Sequence, residues 1–536
     1  MSAAPRPLAK AATVAAYRPK YNPWIVAFTV TMATFMEVLD TSIANVSLPH
    51  IAGGLSASID ESTWVLTAYL VANAIVLPLS AWVSGFIGRK RFYMTCVALF
   101  TISSLFCGIA PTLSTLVVFR IIQGAGGGGL QPSEQAILAD TFPGEKFGMA
   151  FAMYGMAVVL APAIGPTLGG YITDHFNWRW IFFINVPIGI ISLLLSYRVV
   201  EDPPHLRKEN RQAGWRANID FVGLGLIVLG LGCLQVVLDR GQELDWFGSR
   251  FITWAIVISA LSLVTFVFWE WRQKHPILDL RLFSRRTFAT AILMMFILGF
   301  GLYGSTILLP LYLQQLMGYT SQLAGMVLSP GGFAIALMMP IVGILVGRVQ
   351  ARWLIALGFL ITGCAFLYMS NINPHIDFRT AMEYRICQSV GLAFLFVPIT
   401  TIAYLGIAPG KNNQVSSIIS LARNIGGSVG IAMVTTMVAR RSQFHQDRLA
   451  SHVTGYDQVF QNGVSALTSN MMQQGYSAAD ATHQAYGRVY GLLQQQSMAL
   501  AYGDVIWVFA IAALCMLPLV LLLKSNDPRK ASRMAH

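Results

Sequence analysis

Charge is what this sequence has least of. Asp, Glu, Lys and Arg make up 11% of the 536 residues, against roughly 25% in soluble domains, and mean hydropathy is +0.59. That shortage excludes a soluble globular protein. Other signals are missing as well. No Gly-Lys-Ser/Thr phosphate loop occurs, so transport driven by ATP would need another subunit. No nucleophile stands beside a base, and no cofactor motif or metal-ligand spacing appears, so we expect no enzyme, no cofactor and no metal site. The six cysteines, Cys96, Cys107, Cys233, Cys364, Cys387 and Cys515, all fall within apolar stretches and read as small packing residues. The net charge of +12 has no exposed domain to sit on, only short loops, which argues against nucleic acid.

What is abundant is apolar sequence in lengths of about 20 residues, each enough to cross a bilayer as a helix. Fourteen such spans are expected at 24–46, 63–84, 92–110, 113–138, 149–171, 180–198, 219–238, 251–269, 288–313, 324–347, 353–370, 380–405, 413–437 and 502–523. The fold class is therefore an all-α polytopic membrane protein. Lys and Arg are hard to translocate in short loops, and most of the 36 fall on the side that carries the N-terminus. Both termini are accordingly expected in the cytoplasm, with Arg89, Lys90 and Arg91 facing it. The basic N-terminus precedes a run that is long, contains two acids and lacks a small-residue cleavage site, so it reads as a first span and not as a signal peptide.

Two stretches break the rhythm of short loops: a basic, Pro-containing linker from Glu201 to Asn218, and a polar segment, 439–501, placed outside by the span count. Within the latter, Ser477 to Leu500 is rich in Ala, Gln and Tyr and has no Pro, which favours helix. An internal repeat is visible. Arg120-Ile121-Ile122-Gln123 answers Arg385-Ile386-Cys387-Gln388, and Ile164-Gly165-Pro166-Thr167-Leu168-Gly169 answers Ile425-Gly426-Gly427-Ser428-Val429-Gly430. This divides the chain into a six-helix half at 1–198, a linker with two extra helices at 199–287, and a second six-helix half at 288–536 carrying the external segment. Paired halves of this kind build a midplane site that opens alternately to each side.

Charges inside spans are expensive and default to function. Glu37 and Asp40 lie three residues apart on the first span and so on one helical face, and Arg120 lies at a depth that could meet Asp40. A carboxylate and guanidinium in contact would make a proton switch, because protonating the acid frees the cation; a purely structural ion pair is the alternative. Glu134, near the inner end of the fourth span, is a further acid for protons or cationic substrates, or a residue that reaches the cytoplasmic interface. Gly124, Gly126 and Gly129 imitate a dinucleotide motif but sit in an apolar helix with no preceding strand, so close helix packing is expected. The fifth span holds Gly155, Pro162, Gly165, Pro166, Gly169 and Gly170, a hinge or seal for alternating access or else a close-packing face. Tyr303, Tyr312, Gln314, Arg385, Gln388 and Phe394, with Gln123 from the first half, are candidates to line a substrate cavity. Flexible methionines such as Met294, Met295, Met338 and Met339 would suit a promiscuous pocket.

At these residues the chain resembles the major facilitator superfamily, in its fourteen-helix drug/proton antiporter branch. Leu39-Asp40-Thr41-Ser42-Ile43-Ala44-Asn45-Val46 with Leu48-Pro49 is similar to the first-span motif, whose Asp is associated with proton coupling. Arg120 through Gln123, Gly124 and Gly126 resembles the fourth-span motif, whose Arg is linked to coupling. Ala161-Pro162 through Gly165-Pro166 to Gly169-Gly170 resembles the fifth-span motif of exporters, and Leu238-Asp239-Arg240-Gly241-Gln242 through Asp245-Trp246-Phe247 resembles the loop joining the extra helices. The loop between spans two and three departs from the family pattern: Ala81, Gly85 and Phe86 replace its Gly, Asp and Arg, while Gly88, Arg89 and Lys90 remain. A structural and topological role is expected there. The segment from Arg440 to Thr454, with Gln443-Phe444-His445 and Arg448-Leu449, resembles the EmrB type of this branch.

The resemblance implies proton-coupled efflux of hydrophobic or amphipathic compounds by alternating access, conferring antibiotic resistance from a bacterial inner membrane. It also implies a periplasmic membrane-fusion adaptor and an outer-membrane channel as partners, reached through segment 439–501; a self-contained cap over the vestibule is the alternative. The energy source would be a proton gradient. Two other readings stay open: a dedicated exporter of one metabolite or siderophore, and a membrane scaffold or sensor that transports nothing.

Overall fold

The computed structural model describes residues 20–142, 146–202, 220–273, 276–407, 409–454 and 456–524. Most of the expected linker, the N-terminal segment and the C-terminal tail lie outside the described residues. Among the described residues, fourteen helices are long and apolar enough to cross a membrane. We label them α1 (Pro23–Val46), α2 (Trp64–Ile87), α3 (Arg89–Ile109), α4 (Leu113–Thr141), α5 (Phe147–His175), α6 (Trp180–Val199), α7 (Phe221–Arg240), α8 (Arg250–Arg272), α9 (Arg286–Gln315), α10 (Ser321–Val346), α11 (Ala351–Met369), α12 (Phe378–Ala403), α13 (Asn412–Ala450) and α15 (Ala478–Leu514). A further helix, α14 (Gln458–Gln473), lies between the last two. No strand occurs among the described residues.

Helix boundaries follow local chemistry. Asn22 caps α1 through its side chain, followed by Pro23 at the first helical position. Thr112 and Thr115 form a reciprocal cap at the start of α4, and Asp220, Thr320 and Asp377 cap α7, α10 and α12. Between α2 and α3 the chain turns at Gly88, whose φ of 95° favours glycine. Helix α13 was expected to stop near 437 but continues to Ala450, because no Gly or Pro follows Gly430 to break it. It projects beyond the span and packs on α15, where Asp504 accepts from Arg441 at 2.6 Å and from His445 at 2.7 Å. The helix expected at 477–500 is present and runs unbroken into the last span; Pro518 then opens a short 3-10 turn. The described residues of segment 439–501 are thus helical except where the three helices join.

We call the side on which α1 begins the proximal face and the other the distal face. Near the proximal face, one continuous core takes residues from both ends of the chain, including Val30, Phe151, Tyr154, Met339, Phe396 and Val415. Toward the distal face the cores are separate. One belongs to α1 to α6 around Leu39, Cys107, Ala161 and Phe182; the other belongs to α9 to α13 and α15 around Tyr312, Val327, Tyr384 and Tyr502. The two parts thus share one apolar core proximally, while distally they meet without one, as where Thr167 of α5 lies against Gly325 and Ser329 of α10. Helices α7 and α8 pack on each other and, through α7, on α2 and α13. Thr67 on α2 donates to Asp239, Arg240 reaches the Asp60 carbonyl at 3.2 Å and Gln235 accepts from Ser428 at 3.0 Å, so the motif Leu238-Asp239-Arg240 fastens the extra helices to the transporter body.

Candidate functional site: buried charges between the helices

Asp40 and Arg120 meet. Arg120 Nη1 lies 2.6 Å from Asp40 Oδ2, and both side chains are at most 1% exposed. Around them, Gln123 Nε2 and Asn185 Nδ2 donate to Asp40 Oδ1 at 3.1 and 2.6 Å, and both also donate to Ser104. Arg120 further donates to Gln123 Oε1 at 2.8 Å and to the Val65 carbonyl at 3.1 Å, and its guanidinium lies over the Tyr69 ring, 4.2 Å from the centroid. Both oxygens of the carboxylate accept, Oδ2 from Arg120 and Oδ1 from Gln123 and Asn185. A buried pair this well bonded holds its charges only while both are ionised; a proton on Asp40 leaves a lone cation. Gln123, expected in a cavity, is instead part of this clamp and has no exposed surface.

Glu37 does not share the Asp40 site. Three residues turn a helix by about 300°, so the two acids point to adjoining sides of α1. Glu37 Oε1 accepts from Tyr69 Oη and Asn73 Nδ2, each at 3.2 Å, and Oε2 from Gln131 Nε2 at 2.7 Å. Tyr69 therefore touches both sites, its ring under Arg120 and its hydroxyl on Glu37. The close approach depends on glycine: a Cβ on Gly124 would stand 2.3 Å from the Tyr69 carbonyl, and one on Gly127 2.6 Å from its hydroxyl. Gly126 and Gly129 likewise face α3 at Cys96, so the glycine run serves helix packing.

Glu134 does not reach an interface. It is fully buried, accepts from Thr31 at 2.6 Å, and leaves its second oxygen without a partner. Across from it stands Arg423, on α13, which sequence reasoning passed over. It is also fully buried, donates to Tyr154 Oη at 2.9 Å and to Gln131 Oε1, and lies beside Tyr303. Its signal was legible: an arginine deep in an apolar stretch, the same feature that singled out Arg120.

The proximal loop holds a further surprise. Arg89, expected to face the cytoplasm in a structural and topological role, is 2% exposed and pairs with Asp140 at the end of α4; Asn412 of α13 donates to the same carboxylate at 2.6 Å. The reason is geometric: Gly88 turns the chain so that α3 begins with Arg89 directed inward. Lys90 stays nearer the surface, on the Tyr197 carbonyl.

Helix α5 is continuous through Pro162 and Pro166. Gly165 and Gly169 press on Ser42 and Ile43 of α1, next to Asp40, whereas Gly155 faces Met339 and Phe396 of the second half. Gly170 meets nothing. The other cavity candidates are not gathered around one space. Arg385 and Gln388 bond to each other at 2.9 Å; Tyr312 packs edge-on against Tyr502; Phe394 is buried in the shared core; Gln314 is exposed near the distal end of α9. A small apolar void in the second half is lined by Phe300, Thr362, Phe366 and Phe509, and by none of them.

The chain belongs to the Major Facilitator Superfamily: the family model matches residues 30–431. It is 37% identical to the multidrug export protein EmrB of Haemophilus influenzae, covering 91% of this chain and 93% of that one. It is also 37% identical to the fatty acid resistance protein FarB of Neisseria gonorrhoeae, over 93% and 96%, and 35% identical to EmrB of Escherichia coli, over 92% and 94%. Among solved structures, the proton:xylose symporter XylE is similar at a TM-score of 0.56 and 14% identity, over 96% of this chain and 98% of that one. That likeness concerns the fold.

Proposed function

We propose that this protein is a proton-coupled exporter of hydrophobic or amphipathic compounds that works by alternating access in a bacterial inner membrane, with both termini in the cytoplasm. The proximal face is then cytoplasmic, and the arrangement described above is closed inward. The observation that carries the reading is the fully buried Asp40–Arg120 pair inside membrane spans, with Gln123 and Asn185 on the same carboxylate. An ion pair that serves packing alone is an expensive way to join helices, since apolar residues of the same volume do so at no desolvation cost. Protonation of Asp40 and occupation by substrate favour different conformations, and each therefore shifts the equilibrium the other senses. The imposed proton gradient supplies the energy.

The names of the relatives, a multidrug exporter and a fatty acid resistance protein, support amphiphiles of either charge as the substrate class. The helical segment 439–501 is the surface we assign to an adaptor and, through it, an outer-membrane channel. The test is efflux of a fluorescent hydrophobic cation and of an anionic uncoupler from proteoliposomes under an imposed pH gradient. Wild type exports at least one in proportion to the gradient, and Asp40→Asn does not; export by Asp40→Asn that still follows the gradient would remove Asp40 from the mechanism.

A further inference from the structure

We propose that Gln131 and Arg423 form a latch between the two halves that reads the protonation of Glu37: the latch is fastened when Glu37 is ionised and released when it takes up a proton. The inference rests on the reading of a proton-driven transporter, but on residues other than the Asp40–Arg120 pair.

The physical reason lies in the Gln131 amide. Arg423 can only donate, so Gln131 must turn its oxygen to Arg423 and its nitrogen to Glu37. An amide nitrogen can only donate, so Glu37 Oε2 must accept. The chain Glu37–Gln131–Arg423 is satisfied only while Oε2 accepts; Oε1 already accepts from both Tyr69 and Asn73, so Oε2, with a single donor, is the atom to which we assign the incoming proton. A proton on Oε2 makes that atom a donor, and Gln131 meets it by turning its oxygen toward Glu37. Its nitrogen then faces the guanidinium, donor against donor, and the only hydrogen bond between Gln131 and α13 is lost. The amide acts as an inverter.

Its position makes the inversion consequential. Arg423 is the distal end of a row on α13 that closes the proximal side: Asn412 donates to Asp140, Asn413 to Ser84 at 3.0 Å, Ser417 to the Leu77 carbonyl at 2.8 Å, and Ser420 accepts from Gln135 at 2.7 Å. The α13 side of every other bond in this row is a neutral Asn or Ser side chain; Arg423 is the one charge that α13 itself brings to it. The charged and titratable groups around the latch are few. Asp40 and Glu37 come from α1, Tyr69 from α2, Arg120 and Glu134 from α4, Tyr154 from α5, Tyr303 from α9 and Arg423 from α13. When the amide inverts, Glu134 remains the nearby carboxylate, with an oxygen that has no partner. The direction suits an exporter. A proton arriving from the distal side, where the halves share no apolar core, unfastens the proximal side and admits substrate there.

The test is hydrogen–deuterium exchange of the intact protein in lipid nanodiscs, followed at backbone amides 412–423 at about pH 8 and about pH 5.5 and corrected for the intrinsic pH dependence of exchange. Wild type is expected to be protected at the higher pH and to exchange faster at the lower by about tenfold or more, the equivalent of losing one charge-assisted hydrogen bond. Glu37→Gln and Gln131→Leu are expected to exchange fast at both. Gln131→Glu gives Arg423 a carboxylate acceptor that keeps an oxygen toward the guanidinium while Glu37 takes the proton the two acids share, and is expected to stay protected at both, a result misfolding cannot imitate. Retention of the wild-type pH response in Gln131→Leu and Gln131→Glu would overturn the latch. The readout needs no transported substrate, so it is independent of the Asp40→Asn efflux result.

Discussion

The same clamp is built twice, once in each half, and only one copy is neutral. In the first half Arg120 donates to Gln123 at 2.8 Å, and both residues grip Asp40. In the second half Arg385 donates to Gln388 at 2.9 Å, and both reach Ser305, at 3.3 and 2.5 Å, with Thr306 taking a further Arg385 bond at 3.1 Å. A hydroxyl stands where the carboxylate stands in the other copy. Both arginines are almost wholly buried. The first half thus carries a charge pair that a proton can unbalance, while the second carries a cation answered, in its hydrogen bonds, by neutral oxygens. Shared geometry holds the helices together; the asymmetry of charge is what gives the halves different work.

The comparison can be broken in four places. The largest effect is expected from Asp40→Asn, which makes the first clamp resemble the second: gradient-driven efflux falls to background, measured as above, while the protein keeps its elution profile. Next, Arg120→Gln leaves Asp40 buried and unpaired, a loss of about 3–5 kcal/mol. Arg385→Gln removes a cation with no ionic partner and is expected to leave stability unchanged or raise it, so thermal unfolding of the two variants in one detergent should move in opposite directions or differ widely. Third, Ser305→Asp gives the second clamp its missing carboxylate and is expected to stabilise by about 1–3 kcal/mol, the range of a charged hydrogen bond. That gain should vanish when Arg385→Gln is added, as a double-mutant cycle would reveal. The smallest effect separates two glycines in the sequence motifs. Gly124→Ala forces a Cβ against the Tyr69 backbone and should cost about 1–3 kcal/mol, whereas Gly170→Ala meets open space and should be neutral or stabilising by up to about 1 kcal/mol.

How much of this was legible beforehand differs between fold and site. Fourteen apolar stretches of bilayer length, the α7–α8 insertion and the helix beginning near 477 could all be read from hydropathy and the absence of breakers. The Asp40–Arg120 meeting could be anticipated from depth alone, because matched height along two helices limits which charges can touch. Depth failed elsewhere. Glu37 and Asp40 share a height and a helix but point to different neighbours, since three residues do not make a full turn. Glu134 and Arg89 lie near span ends, where long side chains ordinarily reach water, yet both are held inside by Thr31 and by Asp140. Arg423 carried the same signal as Arg120 but no acid on a matched motif, and its partner proved to be an amide.

The sequence by itself determined the membrane class, the number of crossings, the repeat and the pairing candidates Asp40 and Arg120, because all of these are functions of local composition and spacing. Only the tertiary structure decided which charge answers which, that Gln131 joins Glu37 to Arg423 across the halves, and that the proximal side is the closed one. Those facts depend on helix rotation and on contacts between segments hundreds of residues apart, such as the 292 that separate Gln131 from Arg423. Hydrophobic spacing sets where a helix crosses; the azimuth at which each polar side chain leaves it is fixed by packing against its neighbours.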